Sequence, residues 1–131
     1  MTYHQGAFEK GVVLKKILLV DDDVIFRHLL AELLNKEFET YEAVGVCDAL
    51  KMLETITVDL ICSDYNMRDG TGLDLLQVCK ERNIGVTFML MSADESNGLS
   101  RKAELNGITF CEKTDHDFIN IIKKILNKTG R

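Results

Sequence analysis

From Lys15 onward, short apolar runs alternate with stretches whose apolar residues recur every three or four positions, and the alternation repeats five times. A chain patterned this way has few folds open to it: strand–helix units in series form a parallel sheet with helices on both faces. The runs at 17–20, 58–63 and 86–91 are continuously apolar, as strands buried on both faces must be. Those at 39–44 and 108–112 carry polar residues at alternate positions, as half-exposed edge strands do. Right-handed crossovers and these two edges give the order 2-1-3-4-5. Phe26, Leu29, Leu30, Leu33 and Leu34 share one helical face, with Asp23 where an N-cap belongs. Val46, Ala49, Leu50 and Leu53 predict the second helix, and Leu73, Leu76, Cys79 and Arg82 the third, after a turn at Gly70 and Gly72. A weaker helix near 99–106 closes at Gly107, and Phe118, Ile121, Ile122, Ile125 and Leu126 form the fifth. Residues 1–14 lack periodicity and read as a leader before one domain at 15–129.

Composition narrows the function. Sixteen basic against twenty-one acidic residues give a net charge of −5, which argues against a direct nucleic-acid partner. Residues 1–65 hold six basic and twelve acidic groups, so the negative charge is concentrated early. Lys15 and Lys16 break the one N-terminal run that resembles a signal peptide, and no apolar stretch is long enough to span a membrane. The four cysteines, Cys47, Cys62, Cys79 and Cys111, have no metal or redox spacing and read as reduced packing residues of a cytoplasmic protein. His4, His28 and His116 have no ligand spacing and read as surface or packing residues, and Asp48 and Asp59 as acids at element starts.

In sheets of this kind ligands bind beyond the carboxyl ends of the strands. Those ends carry Asp21-Asp22-Asp23, Asp64, Ser92 and Lys113. Two carboxylates ~4 Å apart repel by about 4 kcal/mol at an effective dielectric of about 20, so either their pKa values rise or a cation sits among them. Oxygen ligands without His or Cys select a hard divalent ion, with Mg²⁺ the obvious choice. Ser92 and Lys113 are suited to hold a phosphoryl group, and an Asp carboxylate can itself be the nucleophile that accepts one. Asp23 reads as a helix cap rather than a ligand.

The stretches KKILLVDDDV, DLICSDYNM, FMLMSAD and FCEK, in this order and spacing, resemble the response-regulator receiver domain of bacterial two-component signalling over roughly 15–129. The resemblance implies a single-domain, flavodoxin-like doubly wound α/β fold of five strands and five helices. It implies that Asp64 accepts a phosphoryl group from a histidine kinase or histidine phosphotransfer protein. Asp22 and Asp64 would bind Mg²⁺, with the Asn66 backbone carbonyl as a further ligand and Asp21 acting through water. Ser92 and Lys113 would contact the phosphoryl oxygens, and Ser92 and Phe110 would form the switch. The fourth helix, fifth strand and fifth helix would present the output surface to a downstream protein or effector domain, and phosphorylation would permit a weak homodimer. No enzymatic activity is expected beyond assistance to the chain's own phosphorylation and dephosphorylation.

Three positions depart from the family pattern. Arg68 and Thr114 stand where proline is common, and Thr71 replaces a frequent acid before Gly72. Without proline the Lys113–Thr114 bond is expected to be trans, since a cis bond before a residue other than proline costs ~2.5–4 kcal/mol. Two other readings compete: a haloacid-dehalogenase-like phosphohydrolase built on Asp21 and Asp23, and a degenerate receiver serving only as a binding module. The first leaves Asp64 without a role, and the second requires loss of Asp64 or Lys113. The chain contains no output domain. Met1 favours a stand-alone regulator over a domain from a longer protein.

Overall fold

The computed structural model describes residues 13–95 and 98–130, with side chains as far as Asn127. Most of the expected leader, including His4, and Ser96 and Asn97 of the fourth helix region lie outside the described residues. In chain order the elements are β1 (Lys16–Val20), α1 (Val24–Leu34), β2 (Glu39–Ala43), α2 (Val46–Met52), β3 (Leu60–Asp64), β4 (Asn66–Met67), β5 (Gly70–Thr71), α3 (Gly72–Glu81), β6 (Thr87–Ser92), α4 (Leu99–Leu105), β7 (Thr109–Glu112) and α5 (Phe118–Gly130). The main sheet is parallel, in the order β2-β1-β3-β6-β7, which is the expected 2-1-3-4-5 once the small antiparallel β4–β5 pair is set apart. That two-residue ribbon replaces the simple turn expected before α3. Its formation is local, pairing Asn66 with Thr71 and Met67 with Gly70.

The continuous apolar runs divide by strand periodicity. Ile17 and Leu19 face the layer of α1 and α5, with Leu30, Leu34, Phe118 and Ile122. Leu18 and Val20 face α2 and α3, with Val46, Ala49, Leu75 and Leu76. Burying both faces is what makes β1 and β3 central and fixes their register, because a one-residue slip would exchange the two cores. The third strand starts at Leu60, not at 58, because Asp59 instead ties to β1: its N–H donates to the Lys16 carbonyl at 2.8 Å and its carboxylate accepts from the Lys16 N–H at 2.7 Å.

Caps mark the helix boundaries. Asp23 accepts from the Phe26 N–H at 3.1 Å, as its position suggested. Thr71 and Asp74 form a reciprocal capping box at the start of α3, which shows what threonine supplies where an acid is common. Gly107, at φ 70°, ends α4 with its N–H on the Glu104 carbonyl and the Ile108 N–H on the Ala103 carbonyl, a Schellman arrangement. Two packing expectations need correction. Leu29 and Leu33 are 58% and 51% exposed, since the sheet-facing side of α1 is taken by Arg27, Leu30, Ala31 and Leu34. Cys47 is exposed, while Cys62, Cys79 and Cys111 are buried free thiols.

Gly72 is required by close approach. A Cβ there would lie 2.7 Å from the Asp64 carbonyl oxygen and 2.6 Å from Leu90 Cδ1. Gly72→Ala must push α3 off the sheet beneath Asp64, and we expect destabilisation of about 1–3 kcal/mol, read from urea unfolding midpoints.

Candidate functional site

Parallel pairing places the ends of β1 and β3 side by side, with Val20 opposite Ser63, so Asp21 and Asp64 emerge next to each other. Asp21, Asp22 and Asp64 each offer a carboxylate oxygen, and the three lie within 4.8 Å of one another. Lys113 follows β7, two strands from β3, and its ammonium reaches back over β6. Its Nζ sits 2.7 Å from Asp21 Oδ2 and 3.5 Å from Asp64 Oδ2. The Phe26 ring lies beneath the ammonium, 4.6 Å away, a cation–π contact that supports the extended stem. The Lys113 N–H donates to the Ser92 carbonyl at 2.8 Å, and the Lys113–Thr114 bond is trans, as expected without proline.

Asp21 is fully buried. Its Oδ1 accepts from the Asp23 N–H at 2.9 Å. Among the described residues no donor meets its Oδ2 at hydrogen-bonding angles, although the Lys113 ammonium is close. Arg27 stiffens this corner from below, its guanidinium donating to the Asp21 carbonyl at 2.6 Å and to Glu42 at 2.8 Å. Burial and the Asp21 carboxylate push Asp64 up to about 6, against the opposing pull of Lys113 and the Tyr65 N–H. Three carboxylates that offer oxygen ligands within 4.8 Å of one another, against the one positive charge of Lys113, fit a hard, oxygen-seeking cation.

Of the other expected site residues, Ser92 ends β6 and is half-buried beside Asp64's strand. Asn66 opens the β4–β5 ribbon, two residues past Asp64. Phe110 is half-buried on the edge strand β7, packs against the core on the α2–α3 face of the sheet and lines a cavity beside that strand. Asp23 serves as a cap. His28 is exposed with its Nδ1 2.7 Å from Glu42, and His116 borders a cavity of about 650 Å³ beside β7, away from the three carboxylates. Sequence reasoning placed Phe26 on the apolar face of the first helix without a role at the site, and passed over Arg27. Arg27 had a signal: it shares the spacing of Leu30, Ala31 and Leu34, so a charged residue stands in a buried stripe.

The model of the response regulator receiver domain matches residues 17–119. The chain is 31% identical over 116 residues to sporulation initiation phosphotransferase F of Bacillus subtilis, covering 86% of this chain and 94% of that protein. It is 30% identical to regulatory protein VirG of Agrobacterium tumefaciens over 84% of its own length but spans only 39% of that relative. Among solved structures, response regulator TrrA of Thermotoga maritima, in complex with Mg(2+)-BeF, superposes with a TM-score of 0.72 at 26% identity, covering 86% of this chain and 100% of that one. The chain belongs to the response regulator receiver domain family, the phosphorylation-based signalling modules of two-component systems.

Because Asp64's pKa is raised in the fold, the unfolded chain ionises first as pH climbs. Asp64's contribution to stability is greatest with the group protonated in both states, below ~4, falls between ~4 and about 6, and stays reduced above. In metal-free buffer, Asp64→Asn should raise stability at pH 7.5 by on the order of 2 kcal/mol and change it little at pH 4, measured by urea unfolding.

Proposed function

We propose that this receiver takes a phosphoryl group on Asp64 from the phosphohistidine of a kinase or phosphotransfer protein. The observation that carries the reading is the Lys113 ammonium, held between Asp21 and Asp64 at the mouth of the sheet. An oxygen of Asp64 attacks phosphorus, the P–N bond to the donor imidazole breaks, and the electron pair leaves with that ring. Lys113 is positioned to move from Asp64 to the arriving phosphoryl oxygens, and the Ser92 hydroxyl supplies a second donor. Asp22, Asp64 and the Asn66 carbonyl would hold Mg²⁺, with Asp21 acting through water. Bound there, the ion offsets the charge gathered on the phosphoryl oxygens. The Thermotoga relative, solved with Mg(2+)-BeF, supports that cofactor.

The exposed stripe Ile25, Leu29 and Leu33 begins beside the carboxylates and suits an apolar helical surface on the donor. Output is assigned to α4, β7 and α5. The helix α4 spans seven residues, has glycine at its N-cap with Glu95 accepting from the Ser100 N–H at 3.1 Å, and lays Lys102 over the ring of Tyr65, the residue after Asp64, at 5.7 Å. Low local stability suits an element that must have two arrangements. Ser92 and Phe110 form the link between the phosphoryl group and that surface. A phosphohydrolase reading is disfavoured by Asp23, whose carboxylate is committed to capping α1.

Two measurements test the proposal. Acetyl phosphate with Mg²⁺ should add one phosphoryl group by intact mass, and Asp64→Asn should abolish the addition; unchanged labelling sinks the assignment. Millimolar Mg²⁺ should raise the thermal midpoint of the wild type, and Asp22→Ala should remove most of the rise.

A further inference from the structure

The position four residues after Asp64 carries Arg68, and its backbone does something a proline there could not. The Arg68 N–H donates to Asp22 Oδ2 at 2.9 Å, while its side chain is exposed. Proline has no N–H to give. The amide is also held in place by the residues that follow it. Next to it, the Asp69 carboxylate accepts from the Val46 and Cys47 N–H groups at 2.9 Å each, anchoring the loop to the start of α2. Gly45 leaves room for that anchor, since a Cβ there would lie 2.6 Å from Asp69 Oδ1. Two residues further on, Thr71 is fixed by its capping box with Asp74. The Arg68 amide is therefore a donor at a fixed place, not a mobile one.

We propose that Arg68 is a positioning residue for the divalent-ion site: its backbone N–H occupies one oxygen of Asp22 and leaves the other for the ion. The inference rests on the reading of Asp21, Asp22 and Asp64 as that site. Asp22 is half-buried, as Asp64 is, and without a partner for that oxygen its carboxylate would be free to rotate. A single fixed hydrogen bond removes that freedom before the ion arrives. Hydrogen bonds to ligating carboxylates commonly change metal affinity by about 10–100-fold. The guanidinium itself has no part in this, so the amide and the side chain can be separated by mutation.

The test is calorimetric titration of the metal-free, unphosphorylated protein with MgCl₂. Arg68→Pro, which deletes the donor, should weaken Mg²⁺ binding about tenfold. Arg68→Ala, which keeps it, should bind as the wild type does. Asp22→Ala should bind far more weakly than either. An Arg68→Pro protein with wild-type affinity beside a defective Asp22→Ala protein overturns the inference and leaves the ion site standing. Equal losses in Arg68→Pro and Arg68→Ala also overturn it, because the side chain would then be responsible. Wild-type binding by Asp22→Ala removes the ion-site reading and the inference together. Should Arg68→Pro fail to fold, an ester in place of the Met67–Arg68 amide deletes the same N–H without the ring and is judged by the same outcomes.

Discussion

The pairing of one ammonium with a buried and a half-buried carboxylate organises this molecule. Asp21 and Asp64 could not both be held at adjacent strand ends without a compensating charge, and Lys113 supplies it from a strand on the far side of β6. Everything that brings Lys113 there is part of the same arrangement: the parallel register, the trans link to Thr114, the Phe26 ring under the stem. The compensation is partial, as the raised pKa of Asp64 records. A site left under electrostatic tension in its resting form is ready to accept a cation and to exchange one anionic partner of Lys113 for another.

Around this centre the fold restricts movement unevenly. Below the carboxylates, Arg27 ties the Asp21 carbonyl to Glu42 on the edge strand, and Gly72 lets α3 sit directly against the backbone of Asp64. The loop after β3 is fastened at Asp22, at the start of α2 and at the start of α3. On the opposite side, α4 is short, with glycine at its N-cap and its first turn held by the Glu95 carboxylate, which accepts from the Ser100 N–H. That contrast between the two flanks is what the proposed output through α4, β7 and α5 draws on.

Much of this was legible in the residues. The alternation of apolar runs and helical spacing was enough for the sheet order, because central and edge strands differ in whether one or both faces are buried. The trio of acids and Lys113 followed from reading strand ends. What stayed hidden was of two kinds. Leu29 and Leu33 look like core residues because helical spacing reports a stripe of apolar side chains without saying which side the sheet covers. The roles of Phe26, Arg68 and Asp69 depend on contacts to residues distant in sequence, and the Arg68 contact is made by backbone, which carries no mark of residue type.

Three of the four thiols are sealed in the core, where burial raises the pKa of each and suppresses the reactive thiolate. Cys47 alone faces solvent, and its own N–H is one of the two that grip Asp69. The native protein thus presents a single attachment point for a maleimide fluorophore, one hydrogen bond away from the loop that touches Asp22. A dye there needs no engineered cysteine, and its emission reports on the corner that holds Asp22.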